Sequence, residues 1–286
     1  MINVKKIAIV TPLRNEARNI EKLFDSISKQ TTSVFSWVIL ENGSTDGSKE
    51  ILKKIKCPEN VEHLEILNLT ESSIAYELGL NYARIINYGF NFLKEKDYFN
   101  QIDFIGILDS DIFLEQHYYE KLIQLFTKDS KLGISSGVIT NLDGTVEKTG
   151  NNWVRGGCRL WRKTCFDQTG YIVGPSADAL STAKALCNDW LSYPEMYAIA
   201  YSRPVGSRVN YRYYGEASYF RGCNPIYIFV KFVYQLIKLK FEAAQGLFFG
   251  YFSAFFRNKK RVSDKQVLNY YRFYPFSRFY FTYKNK

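Results

Sequence analysis

Two aspartates one residue apart, Asp109 and Asp111, directly follow the apolar run 104–108. Such a run predicts a buried strand, so the two carboxylates would lie at the end of a rigid element. Paired carboxylates of this kind offer hard oxygen ligands to Mg²⁺ or Mn²⁺, which complete their shells with water and substrate phosphates. The same pattern also suits capping of a helix that begins after Leu108. The pair is a candidate metal site that needs support from its surroundings.

Two more polar segments follow apolar runs nearer the N-terminus. Residues 11–16 read Thr-Pro-Leu-Arg-Asn-Glu after the run 7–10, and residues 41–47 read Glu-Asn-Gly-Ser-Thr-Asp-Gly after the run 37–40. Each segment by itself could be a simple turn. In a doubly wound sheet, however, ligands bind beyond the carboxyl ends of the strands. All three polar segments are therefore expected at one ligand-binding edge.

Alternating strands and helices supply the scaffold for these segments. Strands are predicted at 7–10, 37–40, 64–69, 104–108 and 133–140, and helices at about 17–30, 48–55, 74–94, 117–127 and 178–190. This alternation calls for a mainly parallel sheet covered by helices on both faces. Residues 141–144, Asn-Leu-Asp-Gly, predict a hairpin turn.

The three segments, in this order and at this spacing, resemble the motifs of family 2 glycosyltransferases over roughly residues 5–200. Residues 11–16 resemble the opening motif, residues 41–47 the second motif, and residues 109–111 the Asp-x-Asp motif. The resemblance implies an α/β fold of the GT-A type, an inverting mechanism and a nucleotide-diphosphate-sugar donor.

The resemblance also implies roles for individual residues. Asp111, with Asp109, would hold Mg²⁺ or Mn²⁺ beside the donor diphosphate. The nucleotide-sugar-binding set is Pro12, Leu13, Glu16, Glu41, Asn42, Asn87 and Asp109. Where the family commonly has paired aspartates, this chain has Glu41 and Asn42, which leaves the identity of the nucleotide open.

An inverting transfer needs a general base, and Asp178 is the match by position. It follows Gly-Pro-Ser-Ala at the start of a predicted helix, although the family's usual Glu-Asp pair is reduced here to Ala177-Asp178. A carboxylate stabilised by the helix dipole is the alternative interpretation. Asp189 and Glu195 are the next candidates for the base. The acceptor-side set is Gly157, Cys158, Arg159 and Arg162.

The chain changes character near residue 203. Residues 203–286 hold 16 Lys or Arg but only Glu216, Glu242 and Asp264, and they are rich in Phe and Tyr. Polar residues at 231, 235, 238, 242 and 245 predict one narrow polar stripe on a helix at about 226–256. An in-plane amphipathic helix with a basic flank fits this pattern better than a transmembrane span. A helix buried against the protein or a second subunit is the alternative.

These observations predict a catalytic domain at 1–202 and a membrane-associating helical segment at 203–286. The expected partners are a nucleotide-diphosphate sugar and a membrane-presented acceptor, either a lipid-linked saccharide or a polyprenyl phosphate, at the cytoplasmic face of a membrane. No motif for nucleic-acid readout is present, and the oligomeric state stays open. The alternatives are a soluble transferase for polysaccharide or protein whose tail forms a dimer interface, and a non-catalytic binding module on an inactivated fold.

Overall fold

The computed structural model describes residues 5–69, 79–141, 153–202 and 210–283. Through residue 141 the elements are β1 (Ile7–Leu13), α1 (Ile20–Ser28), β2 (Val34–Asn42), α2 (Ser48–Lys54), β3 (Val61–Leu69), α3 (Leu80–Lys94), β4 (Phe104–Ile107), β5 (Ile112–Leu114), α4 (Tyr118–Lys128), β6 (Leu132–Ser136) and β7 (Val138–Asn141). The later elements are β8 (Arg159–Arg162), α5 (Lys163–Thr169), α6 (Ala177–Cys187), β9 (Leu191–Ser192), β10 (Ile199–Ser202), α7 (Tyr211–Arg221), α8 (Pro225–Ile237), α9 (Phe241–Phe256), α10 (Lys265–Arg272) and α11 (Phe276–Tyr283).

The main sheet confirms the predicted α/β fold. Its strand order is β3-β2-β1-β4-β8-β6-β9, and β3, β2, β1 and β4 run parallel. Strand β8 pairs antiparallel with both β4 and β6. Strands β1, β2 and β4 are apolar almost throughout and buried, as expected for parallel strands covered on both faces.

Packing between α3 and the sheet depends on a glycine. A Cβ on Gly89 of α3 would lie 2.6 Å from Val10 Cγ1 and 2.9 Å from Leu40 Cδ1. On the strands below, the buried Thr11 hydroxyl accepts a 2.9 Å hydrogen bond from the Trp37 indole nitrogen. This bond joins β1 to β2 and satisfies both buried polar groups.

The strand predicted at 133–140 is in fact two strands. β6 lies in the main sheet, whereas β7 joins a small sheet of order β5-β10-β7. Gly137 separates them, and a Cβ there would lie 2.1 Å from the Ala198 carbonyl oxygen and 2.5 Å from the Tyr118 ring. The chain therefore changes sheets where only glycine fits. Residues 142–144 of the predicted hairpin turn lie outside the described residues.

The described residues form two compact units. One takes its residues from Met1–Tyr76, Asn81–Tyr171 and Trp190–Pro204, and the other from Glu77–Leu80, Ile172–Asp189 and Val205–Lys286. The second unit therefore contains α6 as well as α7–α11. Its core includes Leu180 and Ala183 of α6 together with Tyr219, Leu247 and Tyr251.

The prediction of a single helix at 226–256 is wrong, because α8 ends at Ile237 and α9 begins at Phe241. Leu239 between them has a φ of 56°, in the left-handed region that a leucine rarely adopts. The polar residues of the predicted stripe are thus divided between two helices. Among the described residues, no helix is both long and apolar enough to cross a bilayer.

Candidate functional site

The three polar segments follow neighbouring strands at one edge of the main sheet. β1 lies between β2 and β4, and Leu13 at the end of β1 pairs with Glu41 of β2. On the other side, the Leu108 amide donates to the Val10 carbonyl at 3.0 Å, so Asp109 comes just beyond the end of β4. The carboxyl ends of the strands thus bring the Pro12–Leu13 segment, the Glu41–Asn42 segment and Asp109 to one edge.

Hydrogen bonds join the first two segments to each other. The Asn15 amide donates to Ser44 Oγ at 2.9 Å, and the Thr45 amide donates to Asn15 Oδ1 at 2.8 Å. The Glu16 amide donates to Ser48 Oγ at 3.0 Å, next to the start of α2. Two loops that are far apart in sequence are therefore held as one surface beside the ends of β1 and β2.

Glu41 is a fully buried carboxylate at this surface. Its Oε1 accepts a hydrogen bond from the Ser44 amide, and Lys49 Nζ lies 3.6 Å from Oε2. Oε2 has no hydrogen-bond partner among the described residues. Buried carboxylate oxygens normally accept hydrogen bonds. Oε2 therefore has the capacity to accept one from the N–H or O–H group of a ligand. Asn42, the next residue, is half-buried.

Asp109 is held from two sides. The Tyr82 hydroxyl on α3 donates to Asp109 Oδ1 at 2.6 Å, and the Asp109 amide donates to the Gly157 carbonyl at 2.7 Å. A Cβ on Gly157 would lie 2.1 Å from Asp109 Oδ2, so only glycine lets this backbone pass the carboxylate. Desolvation and the Asp109 carboxylate raise the pKa of Tyr82, which therefore stays protonated as a donor.

Asp109 and Asp111, both partly exposed, are the carboxylates here that could hold a cation. No group of three or more His, Cys, Asp or Glu side chains among the described residues could hold a metal. A cation on this pair would need its remaining ligands from water or from a bound molecule. Mg²⁺ accepts this arrangement readily, since it keeps several waters and binds few carboxylates.

Gly157 and Cys158 lie beside Asp109, but the two arginines of the acceptor-side set are bound to the protein itself. Buried Arg159 donates to the backbone carbonyls of Val154 and Arg155, at 3.1 and 2.9 Å. It thereby orders the segment that leads to Gly157. Burial raises the pKa of the Cys158 thiol to about 11, so this residue is neutral at ordinary pH.

Arg162 lies at the opposite end of β8. It pairs with Phe104, at the start of β4, and its guanidinium donates to the carbonyls of Leu132 and Asp129 at 3.0 and 2.9 Å. The structure therefore does not bring Arg162 together with Asp109. Its side chain instead fixes the end of α4 to β6.

Asp178 belongs to the second unit. It lies in the first turn of α6, whose N-cap is Ser176. The Tyr213 hydroxyl accepts a 3.2 Å hydrogen bond from the Ser176 amide, and burial together with the charge on Asp178 raises the pKa of Tyr213. The negative charge of Asp178 also helps to raise the pKa of the Arg221 guanidinium.

Of the other predicted residues, Asn87 is half-buried on α3, two residues before Gly89. Glu16 is half-buried, and its carboxylate accepts a hydrogen bond from the Asn19 side chain. Sequence reasoning did not find Tyr82, because a tyrosine in a helix carries no pattern that marks it as a partner of Asp109.

An α/β sheet with a polar edge at the ends of three parallel strands belongs to the class of open-sheet domains that bind ligands beyond the carboxyl ends of their strands. The sequence profile described as Glycosyl transferase family 2 matches residues 8–189. The chain therefore belongs to glycosyl transferase family 2, which confirms the resemblance seen in its motifs.

Curated relatives include glycosyltransferase GlyA of Streptococcus pneumoniae, 32% identical over 41% of this chain and 14% of that protein. The hyaluronan synthase of Pasteurella multocida is 28% identical over 52% of this chain and 14% of that protein. This chain thus spans about one seventh of the length of each of these two relatives.

Solved structures support the fold. TarS residues 1–349 of S. aureus, in complex with UDP-GlcNAc, has a TM-score of 0.55 at 16% identity, over 75% of this chain and 64% of that chain. The mannosyltransferase PcManGT of Pyrobaculum calidifontis, in complex with GDP-Man and Mn²⁺, has a TM-score of 0.54 at 12% identity. That match covers 85% of this chain and 69% of the other.

Proposed function

We propose that this protein transfers a sugar, with inversion, from a nucleotide-diphosphate-sugar donor to an acceptor presented at a membrane surface. The observation that carries the proposal is the meeting of three polar strand ends at one edge, where β1 lies between the strand that ends in the Glu41 segment and the strand that leads to Asp109 and Asp111. Family membership and the UDP-GlcNAc and GDP-Man complexes of the two structural neighbours support a nucleotide-sugar donor.

The donor would bind with its base and ribose along the surface made by Pro12, Leu13, Glu16, Glu41 and Asn42, with Asn87 and Asp109 nearby. The buried Oε2 of Glu41 would accept a hydrogen bond from the base or ribose. Asp109 and Asp111 would hold Mg²⁺ or Mn²⁺. A bound cation would offset the negative charge that develops on the departing nucleoside diphosphate.

When the acceptor is a saccharide, its hydroxyl oxygen bonds to the anomeric carbon as the bond from that carbon to the diphosphate oxygen breaks. The hydroxyl proton passes to a carboxylate, and the nucleoside diphosphate leaves with the bonding electrons. Asp178 is proposed as this carboxylate because it stands at the start of α6, after a Gly-Pro-Ser-Ala segment that matches the family's position for the base.

Donor binding is tested by calorimetry with UDP and GDP, in Mn²⁺ and in EDTA. The wild-type protein is expected to bind one of them tightly only with Mn²⁺, and Asp111→Ala to lose this Mn²⁺-dependent part while it remains folded. Asp97→Ala, which removes an exposed aspartate just after α3, is the matched control. Equal affinity in Mn²⁺ and in EDTA would contradict the metal role.

The base is tested by a series of isosteric variants. Asp178→Asn is expected to lower kcat by about 10²–10⁴-fold with donor affinity unchanged, since the base acts only in the transition state. Asp189→Asn and Glu195→Gln are the controls and should retain turnover. A normal kcat in Asp178→Asn, with loss in one of the other two, would move the role to that residue.

The acceptor is proposed to be a lipid-linked saccharide or a polyprenyl phosphate at the cytoplasmic face of a membrane. Support comes from the basic and aromatic C-terminal region, in which Lys and Arg far outnumber acidic residues. Turnover of donor with lipid-linked acceptors, compared with soluble oligosaccharides, tests this choice. Faster transfer to the soluble acceptors would favour an enzyme acting on polysaccharide.

A further inference from the structure

Helix α8 has its apolar and polar sides reversed relative to a helix that faces water. Its exposed face carries Ile226, Phe229, Val230, Val233 and Ile237, which follow the spacing of a single helical stripe. The two isoleucines, one at each end of the stripe, are 73% and 72% exposed. A water-facing surface helix normally shows charged and polar residues on this side.

The polar residues of α8 lie on its inner side. Lys231 and Gln235 are half-buried, on the same side as the fully buried Ile228. Burial, followed by the nearby Arg221 guanidinium, lowers the pKa of Lys231. Helix α8 therefore holds the Lys231 ammonium in a partly desolvated position, whereas the aliphatic and aromatic side chains of its stripe are exposed to solvent. Contiguous exposed apolar surface of this kind marks an interaction site.

Exposed cations border this stripe. Lys238 and Lys240 directly follow α8 and enclose Leu239, which is 74% exposed and has positive φ. The next helix begins with the exposed Phe241. At the other end of α9, Phe256 is exposed and is followed by the exposed residues 257–260, Arg-Asn-Lys-Lys. Apolar side chains bordered by Lys and Arg match a bilayer interface with anionic headgroups.

We propose that the exposed stripe of α8 and the Lys238–Phe241 junction form a docking surface for a membrane that contains anionic lipid. The apolar side chains would enter the headgroup boundary, and the lysines would lie among the phosphates. A second copy of the chain fits less well, because the same surface on the partner would cover the apolar stripe but, with no Asp or Glu in residues 225–241, would offer no anion to Lys238 and Lys240. The surface supplies the membrane association of the proposed function, but neither its residues nor its test involve the donor site.

The test uses the full-length chain with phosphatidylcholine vesicles, with and without phosphatidylglycerol. The wild-type protein is expected to bind better when phosphatidylglycerol is present, and to retain part of this binding in high salt. The double variant Phe229→Gln with Ile237→Gln should bind at least about tenfold more weakly, because it removes two large side chains from the bilayer interface. Tyr197→Gln, which removes an exposed aromatic ring of the first unit, is the control and should bind as wild type.

A second pair of variants separates charge from burial. Lys238→Gln with Lys240→Gln should remove most of the preference for phosphatidylglycerol and leave the binding to phosphatidylcholine unchanged. The exposed pair Lys53→Gln with Lys54→Gln on α2 is the matched control. All substituted side chains are exposed, so circular dichroism and thermal unfolding should match those of the wild type.

Three results would overturn the proposal. One is vesicle binding by the apolar double variant that equals the wild type, or no binding by either. Another is a wild-type dimer that the apolar variant converts to monomer, as measured by sedimentation velocity, without any vesicle affinity. The third is complete loss of binding in high salt together with competition by RNA, which would indicate a nucleic-acid surface. Nucleotide calorimetry on the same samples is independent of these outcomes, so failure of the donor site is recognised separately.

Discussion

At the scale of single residues, the hydrogen bond from Tyr82 to Asp109 gives the sharpest expectation. Tyr82→Phe removes only the hydroxyl that donates to Asp109 Oδ1 at 2.6 Å. Partners of this kind orient metal-binding carboxylates, and their loss typically costs about 10–100-fold in metal affinity. We expect Mn²⁺-dependent nucleotide binding to weaken by about tenfold, as measured by calorimetry. Tyr88→Phe, on the same helix and exposed, should bind as wild type.

Gly157 lies so close to the same carboxylate that any side chain on it would clash with Asp109. Gly157→Ala would put a methyl group 2.1 Å from Asp109 Oδ2, too close for any contact without movement. We expect loss of Mn²⁺-dependent nucleotide binding that is at least as large as in Tyr82→Phe. Fluorescence titration with a nucleotide analogue measures this, and unchanged affinity would show that Asp109 can move without cost.

The sequence patterns predicted most of the polar segments at this edge of the main sheet, but not the tertiary contacts that hold them in place. The polar segments that follow residues 10, 40 and 108 could be predicted because continuous apolar runs mark buried strands, although β1 continues to Leu13 and β2 to Asn42. Tyr82 and Gly157 could not, since each meets Asp109 through a tertiary contact between distant segments. Arg162 matched the acceptor-side pattern by position, but the antiparallel direction of β8 carries it to the far end of the sheet.

At the scale of helices and strands, the sequence patterns did not predict the points at which one predicted element is divided into two. The periodic polar residues from 231 to 245 concealed the turn at Leu239, because periodicity continues across a break of a few residues. The strand predicted at 133–140 was divided for a similar reason, since Val138–Thr140 is as apolar as the strand before it. Helix α7 mixes aromatic, charged and small residues and gave no clear apolar stripe.

The contact of α3 with the sheet gives an expectation about stability. In Gly89→Ala the new methyl group would press on Val10 and Leu40, both buried. Alanine favours a helix over glycine by about 1 kcal/mol, whereas overpacking a core costs about 1–3 kcal/mol. We expect a net loss of about 1 kcal/mol in the free energy of unfolding, as measured by urea denaturation. Asn91→Ala, at an exposed position of α3, should leave stability unchanged or raise it.

At the scale of the whole molecule, the C-terminal helices have a role in the second unit besides their exposed surface. The Tyr271 hydroxyl on α10 donates to the Ala179 carbonyl at 3.0 Å, one residue after Asp178. Lys184 on α6 forms a 2.7 Å ion pair with Asp264, the N-cap residue of α10. The helix that carries the proposed base is therefore fixed by the part of the chain with a basic, aromatic composition.

This arrangement predicts that damage to α10 affects turnover and leaves donor binding intact. Tyr271→Ala removes a buried ring from the core that also contains Leu180 and Ala183 of α6, whereas Tyr271→Phe removes only the hydroxyl. Loss of the ring should cost about 3–5 kcal/mol and loss of the hydrogen bond about 1 kcal/mol in unfolding free energy. If α6 positions the base, kcat should fall in the same order, with the larger loss in Tyr271→Ala. Nucleotide affinity should stay at the wild-type value in both variants, because Pro12, Glu41 and Asp109 belong to the first unit. We would measure both variants by steady-state kinetics and nucleotide calorimetry, below their unfolding temperatures. A parallel fall in nucleotide affinity would show that α10 does not act through α6 alone.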